Sequence, residues 1–477
     1  MNDTKSKCFK NIIHEYVQTH REDIISDLKE FLKIPSVRGD AKEGAPFGVE
    51  CAGALEHARQ LYEREGFFAE VNQEGGYLLS YFGEGETTVG IFAHADVVPA
   101  GEGWTLTTPF NPVEKDGFLI GRGALDDKSG VIASLYCAKM LKECGIPFKG
   151  RLLCFAGVNE ESGMQDIRNY ISEHKKPEFS IVPDTAFPLY RGNKGKVAFD
   201  AESVLKLSDG ISISGGTGAS VIGEATAVLP FDECLRKEIS ERCGVGVEAE
   251  CNGDAVVVRA KGIAKHSALP EGGLSAACLL ADVLRNCESL SDSDRAVFDG
   301  VYNMSSCNYG EFFGIECEDN EFGKLTCVLT KISTGNDGNL ILKFNIRYNS
   351  RISKEAILES VNRNAGDLIR IVPETLAYSM AQSLPADNVY VKRLLDVYND
   401  FSGRKNGVSY VNAGGTYRQY LENAVEIGTT NIWGRPEGLP DGHGGVHQPD
   451  ECININGFLE AIELTALMLL ECDELGR

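Results

Sequence analysis

A chain of 477 residues exceeds what one hydrophobic core sustains, so two domains are expected. Apolar residues make up 43% and charged residues 25%, the balance of a soluble globular protein. The formal net charge of −23 argues against nucleic acid or an anionic membrane as partner, but not against a small substrate held at a metal centre.

Residues about 8 to 33 follow a helical pattern ending at Ile34-Pro35, and 51 to 65 form a second amphipathic helix stopped by Gly66. Thr88 to Ala93 reads as a buried strand with His94 at its C-terminal end. Ser129 opens a helix that stops at Gly145. Arg151 to Val158 is a strand running into Asn159-Glu160-Glu161, and Phe179 to Val182 is a shorter one running into Pro183-Asp184. Such alternation predicts an α/β domain with a mixed, largely parallel sheet, in which ligands bind beyond the carboxyl ends of strands. The texture changes after about residue 190. Lys196 to Leu205, Glu224 to Leu229, Val247 to Lys261, and a hairpin of Leu325 to Ile332 with Leu340 to Tyr348 read as strands. Two helices, Leu274 to Cys287 and Lys354 to Ile369, accompany them. A final helix runs Gly457 to Cys472, just after His447. The expected organisation is a discontinuous α/β domain, 1–190 and 384–477, interrupted by an α+β insert at 191–383.

Acids and histidines collect at these strand ends. His94 can ligate a metal through one ring nitrogen, and Asp96, two residues on, can accept the other ring N–H. Asp126 has two oxygens to bridge two cations. Its neighbour Asp127, with Lys128 and Ser129, also reads as a plain helix N-terminus, where acids favour the dipole. In Glu160-Glu161 one carboxylate can bind metal while the other stays free as a general base; a solvated acidic turn fits the pair as well. Asp184 and His447 complete the set. One imidazole and one carboxylate per metal, with a shared carboxylate, is what a two-metal hydrolase needs.

The run His-Ala-Asp-Val-Val-Pro-Ala-Gly-Glu-Gly-Trp from His94 resembles the dinuclear zinc metallopeptidase family of aminoacylases, carboxypeptidases and dipeptidases, nearest its PepV-type dipeptidase and carnosinase branch. The resemblance continues through Gly-Arg-Gly to Asp-Asp-Lys from Gly121, Asn-Glu-Glu-Ser-Gly at 159–163, Pro-Asp at 183–184 and His-Gln-Pro-Asp-Glu at 447–451, spanning about residue 22 to the C-terminus. It implies that His94 and Asp184 hold one metal, Glu161 and His447 the other, and Asp126 bridges them across a cis Asp126–Asp127 peptide. Glu160 is then the general base for a bridging hydroxide, and Asp96 orients His94. Zinc is the first choice of metal, with manganese or cobalt fitting the same donors. The insert corresponds to the family's lid. In Ala264-Lys265-His266-Ser267-Ala268, His266 matches the lid histidine that stabilises the oxyanion, although by itself it reads as a surface-loop histidine. Asn345-Ile346-Arg347-Tyr348 matches the lid arginine that grips a substrate carboxylate in two hydrogen bonds; a sheet-edge arginine is the plainer reading.

Two departures touch substrate recognition. The family's Gly-Gly-Thr-Tyr-Ala-Arg stands here as Gly414-Gly415-Thr416-Tyr417-Arg418-Gln419, placing the arginine one position early; Gly415 and Arg418 are the substrate-binding candidates there. The lid's usual asparagine is replaced in a stretch running from Gly215-Gly216 to Ser220, Ile222 and Gly223. His443 is an extra histidine beside an already complete ligand set. The leading expectation is a dipeptidase acting on short peptides with a free C-terminus. An N-acyl amino acid amidohydrolase with the same centre is the alternative, kept open by the shifted arginine. A silent metal-stabilised binding protein is the third reading, which the presence of Glu160 opposes. Fifteen cysteines without a Cys-x-x-Cys pair, and no apolar signal core or membrane span, suit a cytoplasmic protein. The large insert can stand in for the partner subunit that completes smaller-lid relatives, so a monomer is favoured.

Overall fold

The computed structural model describes residues 3–476. Its contacts divide the chain into two units. The first comprises the segment up to Gly192, Ser383–Tyr410 and the segment from Gly415; the second comprises Asn193–Gln382 and Val411–Gly414.

The first unit is built on a mixed sheet. Its middle is parallel: Arg151–Gly157, Thr88–His94, Phe179–Thr185 and Ala424–Gly428 lie side by side in that order. Tyr77–Phe82 and then Ala69–Asn72 extend one flank antiparallel, and Leu189–Asn193 pairs antiparallel on the other. Alternation along these strands builds two apolar layers. Leu78, Ile91, Cys154, Ile181 and Val425 face the larger core, shared with the helices Val49–Arg64, Lys128–Glu143 and Ile455–Leu475. Leu79, Phe92, Phe155, Val182 and Ala424 face the opposite layer, with Ile167 and Tyr170 of the short helix Gln165–Glu173. Burial of each such side chain is worth about 1.5–3 kcal/mol. Both faces are covered, so these strands read as unbroken apolar runs.

The second unit is an antiparallel sheet. Its order is Val247–Asn252, Ala255–Lys261, Glu224–Pro230, Ser212–Gly215, Thr326–Thr334, Asn339–Tyr348, Gly195–Lys206 and Ile369–Ile371. Its core draws on four helices: Glu233–Arg242, Ala276–Leu284, Asp292–Ser305 and Lys354–Ala365.

Three local readings change. The helical stretch at 8–33 is two helices, Asp3–Thr19 and Arg21–Leu32, parted at His20, whose ring Nδ1 lies 3.0 Å from the Tyr16 carbonyl. Val247 to Lys261 is a hairpin turning at Gly253-Asp254, with Gly253 at φ +60°. The insert has four helices where two were expected. Glu233–Arg242 buries only Leu235 and Ile239, too thin a stripe to stand out, and Asp292–Ser305 opens in an acidic run that hides its apolar face. No described helix is long and apolar enough to cross a membrane.

Candidate metal centre

Parallel pairing brings three of the acid and histidine clusters to one edge of the first unit's sheet. His94 is the last residue of its strand and lies opposite Gly157, the last of the next. Glu160 and Glu161 follow Gly157 within a turn, and Asp184 is the penultimate residue of the Phe179–Thr185 strand. Asp126 precedes the Lys128–Glu143 helix through a cis Asp126–Asp127 peptide. His447 arrives from the loop between Ala424–Gly428 and Cys452–Asn454, in left-handed backbone at φ +62°. That conformation is uncommon for a residue with a side chain and is a mark of functional sites.

Asp126 lies between the two histidines. Its Oδ1 is 3.0 Å from His94 Nε2 and its Oδ2 is 3.0 Å from His447 Nε2. Asp184 Oδ1 stands 3.8 Å from His94 Nε2, and Glu161 Oε1 stands 3.1 Å from His447 Nε2. Donor atoms of His94, Glu160 and Asp184 fall within 4.8 Å of one another, and so do those of His94, Asp126 and Glu161. All five ligand candidates and Glu160 therefore converge.

The donor set fits divalent cations. His94 Nε2 is buried beside Asp126 Oδ1 yet is not aligned to hydrogen-bond to any described residue; Glu160 Oε1 is likewise buried without a partner. Such orphans are costly unless something else engages them. Burial raises Glu160 well above the usual carboxylate range, with Asp184 adding to it. Burial and then the Asp126 carboxylate push Glu161 and Asp184 each to about 7. Burial works to lower His94, but Asp126, Asp184 and Asp96 prevail and raise it well above 6.5. Among the described residues, no Lys or Arg ion pair relieves these four carboxylates. Two divalent ions would balance their four negative charges.

A ring of further buried acids fixes the backbone that carries these groups. The His94 ring Nδ1 lies 3.0 Å from the Asp96 main-chain carbonyl and 3.5 Å from its carboxylate, so the main chain is the nearer acceptor. The Asp96 carboxylate instead accepts the N–H groups of Glu160 (3.1 Å) and Glu161 (3.2 Å). Asp127 uses its carboxylate on the His94 N–H at 3.3 Å rather than as a helix cap. Asp166 accepts the Asn159 N–H and the Tyr417 hydroxyl, and Gly157 is glycine because a Cβ there would meet that hydroxyl at 2.0 Å.

Glu451 received no role from sequence, although it closes the His-Gln-Pro-Asp-Glu motif. One of its oxygens accepts the N–H groups of Gly123, Leu125 and Asp126 at 3.0–3.2 Å, and the other pairs with buried Arg122. A carboxylate following a candidate ligand histidine at the end of a motif was the available signal. Replacing Glu451 with glutamine puts an amide near those N–H donors and removes the partner charge of Arg122. We expect metal affinity to fall roughly 10–100-fold, with a lower unfolding midpoint, read by metal titration and calorimetry.

The remaining candidates fall elsewhere. His266, in the second unit, is exposed, makes an isolated bridge to Ser220, and its Nδ1 accepts the Ala268 N–H at 3.3 Å. Asn345 and Arg347 are side by side on the face of Asn339–Tyr348 opposite Phe344 and Ile346, which pack in the core. Both are 8% exposed, with Asn345 Oδ1 and Arg347 Nε lacking described partners, and burial lowers Arg347 to about 10. Arg347 sits in the interior of the sheet, between Gly195–Lys206 and Thr326–Thr334, not at its edge. Gly415 is half-buried in the first unit. Arg418 is 1% exposed and donates Nε to the Ala424 carbonyl and Nη2 to the Arg191 carbonyl, so those contacts are spent inside the fold. His443 lies 2.8 Å from Asp450, which also accepts N–H groups of Thr105 and Leu106.

The family model described as Peptidase family M20/M25/M40 matches residues 90–471. A Bacillus subtilis protein named "Putative dipeptidase YtjP" is 28% identical over 94% of this chain and 97% of its own length. Human carnosine dipeptidase 1 superposes with a TM-score of 0.59 at 16% identity, over 98% of this chain and 99% of that one. The dipeptidase Dug1p of Saccharomyces cerevisiae superposes with a TM-score of 0.57 at 14% identity, covering 98% of each. These two superpositions establish a shared fold.

Proposed function

Given that this chain belongs to peptidase family M20/M25/M40, we propose that it is a metal-dependent dipeptidase that cleaves short peptides with a free C-terminus. The observation that carries the reading is Asp126, one oxygen 3.0 Å from His94 and the other 3.0 Å from His447. The dipeptidase naming of full-length relatives supports it.

In this reading His94 and Asp184 would hold one ion, Glu161 and His447 the other, and Asp126 would contribute an oxygen to each. Bound divalent ions would polarise the scissile carbonyl and acidify water. Glu160 takes the proton of the attacking water and delivers it to the leaving amine. It suits the task because burial raises its pKa, which makes the ionised carboxylate the stronger base. Asp96 holds the Glu160–Glu161 main chain in place. In the second unit, acting as lid, His266 stabilises the oxyanion, while Arg347 and Asn345 take the substrate carboxylate. The unrelieved burial of Arg347 suits a guanidinium awaiting an anion. Gly415 and Arg418 are the substrate-binding candidates of the first unit, the Arg418 side chain also tying the main chain at Ala424 and Arg191.

Zinc is the favoured metal, the mixed N/O donors accepting manganese or cobalt as well. Fifteen free cysteines suit a reducing cytoplasm, and the large second unit favours a monomer. The test is hydrolysis of a dipeptide panel and an N-acyl amino acid panel by protein loaded with zinc, cobalt or manganese. Turnover of dipeptides, abolished by chelator and restored by metal, is expected. Folded, metal-loaded protein that cleaves no dipeptide, or prefers the acylated series, overturns the reading.

A further inference from the structure

A cavity of about 350 Å³ lies within the first unit, lined by Leu125, which precedes Asp126, and by Gln448, which follows His447. Adjacent Cα atoms are about 3.8 Å apart, so its wall is one residue from two of the groups assigned to the metals. Its volume is at the small end of ligand sites, which run roughly 300–1,000 Å³.

The chemistry of its lining selects its guest. Each polar side chain of the lining makes at least one hydrogen bond or ion pair within the fold. Arg435 gives Nη1 to the Pro440 and His443 carbonyls (2.7 and 3.1 Å) and Nη2 to Asp441 (3.2 Å). His443 is held by Asp450 at 2.8 Å. Gln448 accepts the Gly445 N–H, Asn454 accepts the Gly457 N–H, Thr430 donates to the Ile432 carbonyl, and Cys452 donates to that of Gly444. The apolar part of the lining is Leu125, Ile432 and Trp433, with the bare backbone of Gly434, Gly444 and Gly445 beside them. Ile432 and Trp433, on the cavity wall, keep 38% and 55% of their surface exposed. Apolar surface left uncovered next to a reacting centre marks a binding surface.

We propose that this cavity receives the side chain of the residue on the acyl side of the scissile bond and selects for an apolar one, of leucine or phenylalanine size. The inference rests on the dipeptidase reading. There the carboxyl-terminal residue belongs to Arg347 and Asn345 of the second unit, which leaves the acyl-side residue to the first.

The experiment measures kcat/KM for Gly-Ala, Leu-Ala and Phe-Ala with metal-loaded wild type, Ile432→Trp, which fills the cavity, and Trp433→Ala, which removes a wall. Metal content and unfolding midpoint verify each variant. Wild type should favour Leu-Ala and Phe-Ala over Gly-Ala by on the order of tenfold or more. Each variant should lower that ratio by about tenfold. A wild type without the preference, or ratios that stay within about twofold in both folded variants, overturns the cavity assignment alone. Failure of wild type to cleave any dipeptide overturns the dipeptidase reading and this inference with it.

Discussion

Glu160→Gln should lower kcat by about a thousandfold while the protein still binds two metal ions per chain. The substitution keeps size and shape but removes the only function we assign to this side chain, moving a proton between water and the leaving amine. General bases are worth roughly 10²–10⁴ in rate. Glu160 is 8% exposed and its Oε1 has no described partner, so the amide disturbs little else. Steady-state kinetics paired with elemental analysis separates this outcome from metal loss. Turnover within about tenfold of wild type, at full metal content, would falsify the assignment. A metal-loaded wild type without any turnover would instead revive the reading of the chain as a silent metal-stabilised binding protein.

Asp126→Ala should have the opposite signature: metal content dropping from two ions to at most one, and activity falling with it. Each oxygen of Asp126 faces a different histidine at 3.0 Å, so one substitution removes a ligand from both positions at once. The four clustered carboxylates become three, lowering the charge that two divalent ions would balance. Isothermal titration with zinc, followed by dialysis and metal analysis, reads the result. Two ions retained at wild-type affinity would mean that Asp126 does not span the pair.

Much of this candidate site can be read from sequence because its candidate ligands sit where local pattern is strongest. An apolar run such as Val89 to Ala93 identifies a strand without knowledge of its partners, and a polar residue directly after it lies at the strand's end. The same holds for Glu160 after Arg151–Gly157. Parallel pairing then brings those ends to one edge, which the alternation of strands and helices already implies. What sequence hides is which carboxylate binds which N–H. Glu451 and Asp126 are 325 positions apart, and nothing in the local text of either names the other. Asp96 shows the same limit. Its place two residues after His94 suggests a carboxylate near the ring, and Oδ1 lies 3.5 Å from His94 Nδ1, but nothing local announces the Glu160 and Glu161 N–H groups that it also accepts. The missed Asp292–Ser305 helix has another cause. Its apolar residues Val297, Phe298, Val301 and Met304 are spaced for a helix, but they follow an acidic, serine-rich opening that reads as loop until Ser291 is seen capping it.

The sheet order carries a consequence for how the polypeptide is made. Ala424–Gly428 lies between Phe179–Thr185 and Leu189–Asn193, and Thr185 meets Ile427 across 242 positions of chain. A nascent chain leaving the ribosome therefore exposes the flank of an apolar strand until residues 424–428 have been synthesised. Every product of premature termination upstream of residue 424 carries that open flank, and such edges template self-association. Message integrity and chaperone cover thus bear on the yield of this protein more heavily than on that of one whose sheet closes in order of synthesis.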